Sequence, residues 1–138
     1  MVAEELNEGY GNWIAVLSSR LCEQIRRANR LKLLYDNIRM DAVLQLLGRS
    51  NDLAIQVVSD QMMASFEISM DILRTLQSMK RSGLTLKKLR NPPSKPVRQL
   101  LKKAVEYCEE PDGKVFAQMC QIVQGIDDIH NASEAEQE

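Results

Sequence analysis

Apolar residues recur every three or four positions along almost the whole chain, and no stretch alternates convincingly with period two. From Asn12 onward, Ile14, Leu17, Leu21, Ile25, Ala28, Leu31 and Tyr35 advance by 3, 4, 4, 3, 3 and 4. Such a series follows one face of a single long helix, and Arg20, Arg26, Arg27 and Arg30 then fall on other faces. At about 1.5 Å per residue, the helix makes a rod of roughly 36 Å. The pattern predicts an all-α fold, a single-domain helical bundle or short solenoid of six to seven helices. A chain of 138 residues is of one-domain size and, once folded, buries about two thirds of its unfolded surface.

Capping residues and breakers divide the rest. Asp36 or Asn37 is expected to cap a second helix carrying Ile38, Val43, Leu44 and Leu47, with Gly48 at its end. Ser50 or Asn51 then opens a third, through Leu53, Ile55, Val57, Val58, Met62 and Phe66, apolar on more than one side and expected to be the most buried. Ser69 is the expected cap of a fourth helix, with Met70, Leu73, Leu76 and Met79, closing near Gly83. One short turn fits Thr85 to Arg90, and the prolines of Asn91-Pro92-Pro93-Ser94-Lys95-Pro96 break the helical pattern. Ser94 caps the next helix, which tolerates Pro96 in its first turn and presents Val97, Leu100, Leu101, Ala104 and Cys108. Pro111-Asp112-Gly113 is a turn before a last helix with Phe116, Met119, Val123, Ile126 and Ile129. The expected organisation is a flexible N-terminus over 1–11, one helical domain over 12–130 with a proline-rich loop at 91–96, and an acidic, disordered tail over 131–138.

Charge is distributed very unevenly. Between Asp71 and Glu106 stand ten bases and no acid: Arg74, Lys80, Arg81, Lys87, Lys88, Arg90, Lys95, Arg98, Lys102 and Lys103. Only 8 of the 18 bases, but all 19 acids, lie elsewhere, so a segment of +10 sits beside a remainder of −11. A fixed positive field of this kind attracts polyanions, and salt weakens the attraction. The segment also lacks the acids that form i,i+4 ion pairs on an ordinary solvated helix. Lys80, Arg81, Lys87, Lys88, Arg90, Lys95, Arg98, Lys102 and Lys103 are the candidate binding residues. The segment has no aromatic residue, so bases cannot stack on it, although phosphate contacts remain available. An acidic protein surface, such as the disordered acidic tails of tubulin, suits it equally well.

Catalytic chemistry finds little footing. The lone histidine, His130, follows Cys120 by ten residues, a spacing that gives no nucleophile–base pair. Cys22, Cys108 and Cys120 have no CxxC spacing and match no zinc site, so they read as reduced thiols of an intracellular protein. Glu109/Glu110 and Asp127/Asp128 are adjacent, and on a helix they diverge by about 100° rather than converge, as solvated helix ends. Phosphate-binding glycine loops are absent, as are membrane-length apolar runs and any signal-peptide pattern. The expectation is a non-catalytic binding protein without cofactor or metal, of cytosol or nucleus, that does not engage membranes.

Two segments carry a family resemblance. Val16-Leu17-Ser18-Ser19-Arg20 lies near the start of the first helix. Asn51-Asp52-Leu53-Ala54-Ile55-Gln56-Val57-Val58 follows about thirty residues later, after Asn37-Ile38-Arg39-Met40-Asp41-Ala42-Val43. Their order and spacing over roughly residues 10 to 80 resemble the C-terminal domain of the regulatory subunit of katanin, the microtubule-severing enzyme. This chain has Leu34-Tyr35 where that family usually has a Trp, and no WD repeats precede the domain, as in an excised piece or a short version. The resemblance implies a regulatory domain that forms a heterodimer with the N-terminal domain of the catalytic AAA ATPase, where all ATPase chemistry resides. The pair would bind microtubules at spindle poles or centrosomes. The first helix has more apolar positions than one core stripe uses, so Trp13, Leu17, Leu21, Ile25 and Leu34 are the expected partner interface, with a fully internal role as the alternative.

A second likeness belongs to another class. Leu84-Thr85-Leu86-Lys87-Lys88-Leu89-Arg90 and the run from Lys95 to Val105 resemble the N-terminal helical domain of transcription elongation factors, which implies a nuclear adaptor. Tyr107-Cys108 stands where that family has a Trp. The third reading is a viral or plasmid-borne helical protein that binds nucleic acid through the same basic segment.

Overall fold

The computed structural model describes the backbone of residues 3–40 and 66–137, with side chains placed over 4–30 and 66–133. Among these residues the chain is helical and has no strand, as the periodicity predicts. The helices are α1 (Ala3–Met40), α2 (described over 66–81), α3 (Lys95–Glu109) and α4 (Gly113–Gln137). A single 3-10 turn, Leu86–Lys88, interrupts the α2–α3 connection.

Several boundaries differ from the sequence expectation. α1 is 38 residues long, roughly 57 Å, and its backbone continues as helix through Asp36 and Asn37, so no new helix starts there. It also begins at Ala3, inside the stretch expected to be a flexible N-terminus. Glu4 and Glu5 occupy its first turn, where carboxylates favour the positive end of the helix dipole. Ser69, expected as a cap, is fully buried inside α2, so no break separates Phe66 from the helix that follows. α4 continues through 131–137 as helix rather than disordered tail. Four α-helices are thus seen among the described residues, where six or seven were expected of the chain. The remainder of the expected second and third helices, 41–65, lies outside the described residues.

The punctuation around the basic segment is as the sequence predicts. α2 ends in a Schellman motif: the Leu84 amide donates to Met79 O at 2.9 Å and the Gly83 amide to Lys80 O at 3.0 Å. Gly83 sits at φ +76°, a left-handed conformation in which a side chain would be strained. Ser94 caps α3, its Oγ accepting from the Val97 amide, with Pro96 in the first turn where its missing N–H costs nothing. Asp112 Oδ1 accepts from the Lys114 amide at 2.9 Å and opens α4.

α1 and α2 pack antiparallel, as two cross-helix hydrogen bonds with opposite progression establish. Tyr10 Oη and Ser78 Oγ are 2.7 Å apart, and Trp13 Nε1 donates to Thr75 Oγ1 at 3.0 Å. α3 and α4 form a tight helical hairpin, across which the Tyr107 and Phe116 rings lie 6.4 Å apart. One core joins all four helices: Ile14, Leu17, Leu21 and Ile25 from α1, Ile72 and Met79 from α2, Leu100 and Leu101 from α3, Phe116 and Met119 from α4. Each such side chain, fully withdrawn from water, contributes about 1.5–3 kcal/mol.

Candidate polyanion-binding face

The antiparallel α1–α2 pair brings the start of α1, the end of α2 and the start of α3 to one end of the bundle, and the basic connection crosses that end. Leu89 is the internal anchor of this connection, buried between exposed Lys88 and Arg90. Its backbone is extended (φ −64°, ψ 150°), so its two neighbours project away from the core while it points in. Asn7, on the second turn of α1, holds the backbone on both sides of Leu89. Its Nδ2 donates to Lys88 O at 3.2 Å, and its Oδ1 accepts from the Arg90 amide at 2.8 Å. One side-chain amide thereby pairs with a peptide segment as a neighbouring strand would.

Of the candidate binding residues, Lys80, Arg81, Lys87, Lys88, Arg90, Lys95 and Lys102 are exposed. Among the described residues none of these seven has a carboxylate within ion-pairing distance. Arg98 is half-buried, and its Nη1 donates to Pro93 O at 2.7 Å, which ties the proline loop to α3. Lys103 is also half-buried and pairs with Glu106 at 3.1 Å. Lys102 and Lys103 do not join the others at the end of the bundle. They line a separate groove between α3 and α4 with Gln99, Gln118 and Gln121. The face therefore consists of Lys80, Arg81, Lys87, Lys88, Arg90 and Lys95, with Arg98 as a brace.

Acidic residues border it. A cavity of about 480 Å³ is lined by Glu4, Asn7, Leu84 and Arg90, and another of about 440 Å³ by Asn7, Glu8, Asn12, Arg90 and Asn91 among others. The first turns of α1 thus bring Glu4 and Glu8 to cavities that Arg90 also lines, a proximity invisible in a sequence where Glu8 and Arg90 are 82 positions apart. On the other side, hydrogen bonds from Ser78 and Ser82 hold the Tyr10 hydroxyl below its usual pKa, with Arg81 adding a smaller effect against the opposing pull of burial.

The residues expected at a partner interface differ in burial. Leu17, Leu21 and Ile25 are 0–1% exposed and belong to the internal core. The side chain of Leu34 lies outside the described residues. Trp13 is different: it is 43% exposed, and Val16, one turn on, is 47% exposed. The two share a face with Gly9, around which there is open space.

The groups tested for chemistry stand apart. Cys120 is half-buried and His130 exposed, both on α4. Cys22 and Cys108 are buried, and burial pushes both thiols up, away from the reactive thiolate. Among the described residues no cluster of three His, Cys, Asp or Glu side chains could hold a metal ion, and no helix is long and apolar enough to cross a membrane. Asp127 and Asp128 do diverge, but Asp127 is no solvated helix end: it engages Arg26 of α1, while Asp128 accepts from Gln124. No family model, curated protein or solved structure matches the chain.

Proposed function

We propose that this chain is a non-catalytic helical adaptor whose basic end docks onto an acidic protein surface, with the acidic tails of tubulin as the leading case. One observation carries the reading. Six exposed cations, Lys80, Arg81, Lys87, Lys88, Arg90 and Lys95, are gathered at one end of a rigid bundle without ion-pairing carboxylates among the described residues. Surface cations that merely confer solubility are usually interspersed with acids. No aromatic residue lies between Arg74 and Lys103, and Tyr10, which borders the face from α1, is half-buried with its hydroxyl on Ser78; this favours an acidic polypeptide over a single-stranded nucleic acid, which gains much of its affinity from stacking.

The likeness of residues 10–80 to the katanin regulatory subunit supports microtubules as the surface and a catalytic AAA ATPase as the second partner. Pairing with that partner would use the exposed Trp13–Val16 face of α1 in place of Leu17, Leu21 and Ile25. An adaptor of this kind works in the cytoplasm, at the cytoskeleton, and leaves ATP hydrolysis to its partner.

Co-sedimentation with microtubules, with duplex DNA added as competitor, tests the reading. Pelleting that persists with DNA present and falls as salt rises is the expected result. Retention on DNA with no pelleting would replace the acidic protein by nucleic acid and overturn the proposal.

A further inference from the structure

We infer that Asn7 is the positioning residue of the basic face: it fixes the backbone that carries Lys88 and Arg90, and binding of an acidic polypeptide depends on it although it bears no charge. The inference rests on the proposed polyanion reading and deepens it. Asn7 lies 81 and 83 residues from the two backbone groups it holds, and those groups flank Leu89, the buried residue of the connection, which enters the core beside the partly buried Leu86. Between the Schellman motif at Gly83 and the Ser94 cap, the connection has little hydrogen bonding of its own. Within it only the Lys88 amide, which donates to Thr85 O at 3.0 Å, makes a local backbone bond. Thr85, at the N-cap position of the 3-10 turn, makes no side-chain cap bond. Leu86 and Leu89 seat the connection on the core, and Arg98 ties its proline end to α3. Asn7 holds the peptide groups on either side of Leu89 and so fixes the backbone from which Lys88 and Arg90 project. A connection freed from Asn7 would have to be ordered again whenever an acidic chain bound, and each ordered side chain costs binding free energy.

A role in binding is separable from a role in stability by the choice of variant. Asn is a poorer helix former than Ala, so Asn7→Ala gains helix propensity in α1 while it loses two largely exposed hydrogen bonds. The bundle should stay folded, and the loss should appear in binding.

The experiment compares the full chain with its Asn7→Ala and Asn7→Gln variants. Binding to a poly-glutamate peptide is measured by titration over a salt series, with amide hydrogen exchange at Arg90 alongside. Asn7→Gln keeps the chemistry of the amide but displaces it by one methylene, and serves if Asn7→Ala does not fold. The expected result is about three- to tenfold weaker binding with unchanged net charge, a shallower salt dependence and faster exchange at Arg90, while α3 remains protected. Equal affinity and equal salt dependence in wild type and variants would overturn the role of Asn7 and leave the polyanion reading standing. A wild-type chain that binds no poly-glutamate at low salt would overturn both.

Discussion

Arg26 of α1 grips Asp127 of α4 with two nearly parallel hydrogen bonds, Nε to Oδ2 at 3.0 Å and Nη2 to Oδ1 at 2.7 Å. The pairing is bidentate, the arrangement that makes guanidinium pairs stronger than point-charge pairs. Both side chains keep about a third of their surface exposed, so solvent screens part of the gain. Glu23 meets the same guanidinium at 3.4 Å and also Arg27 at 3.0 Å, which extends the pair into a short network along α1. A double-mutant cycle with Arg26→Met and Asp127→Asn should return a coupling of about 0.5–1.5 kcal/mol in thermal unfolding.

The same pair gives a pH dependence. The hydrogen bond from Arg26 holds Asp127 below the usual carboxylate range. The unfolded chain therefore takes up a proton at this position before the folded chain does, and falling pH favours unfolding. Stability from the pair should be complete above about pH 5 and decline below it, through the depressed folded-state value. Melting temperatures measured from pH 7 to 3 should fall less steeply for Asp127→Asn than for wild type.

Leu17 and Leu21 belong to the core rather than to an interface. Leu17→Ala should cost about 2–5 kcal/mol of unfolding free energy by chemical denaturation. Trp13→Ala should cost markedly less, because Trp13 is half out of the fold and leaves behind only an open end at Thr75. An equal loss for the two variants would place Trp13 in the core as well.

Gly83 is required by its backbone and not by space, since no atom lies within 4 Å of where a Cβ would be. Gly83→Ala should destabilise by about 1 kcal/mol through its positive φ. Denaturation of the two proteins under matched conditions measures the difference.

Most of the fold was legible and most of its long-range relationships were not. Spacing of 3 and 4 revealed the helices because burial on one side imposes that period, and Gly83, Ser94 and Asp112 marked their ends because each supplies a local hydrogen bond or conformation. The expected breaks at Asp36 and Ser69 failed for one reason: capping residues also occur inside helices, and here each helix continues through the position, with Ser69 buried in it. Leu6, Tyr10 and Ile14, four residues apart, did signal that α1 starts early, but Gly9 and Gly11 obscured it. The basic face could be read as composition alone. Its division into an end surface and the separate Lys102–Lys103 groove depends on where α4 packs, and the reach of Asn7 to Lys88 and Arg90 depends on the antiparallel pairing of α1 with α2.

Glu4 and Glu8 line the same cavities as Arg90, and under the proposed reading their charge would oppose the approach of an acidic chain. Replacing both with Gln should strengthen binding to poly-glutamate by roughly twofold per residue at low salt, and the gain should vanish at high salt. A titration at two ionic strengths measures it.

The most direct test of the central claim is microtubule co-sedimentation of the folded triple variant Lys87→Glu, Lys88→Glu, Arg90→Glu beside wild type. These side chains are exposed and outside the core, so helicity should be retained. The account predicts that wild type pellets with microtubules and that the variant loses at least about tenfold in affinity at low salt, as expected when three cations become anions. Equal pelleting of the two proteins would contradict it and remove the basic face from the function of this chain.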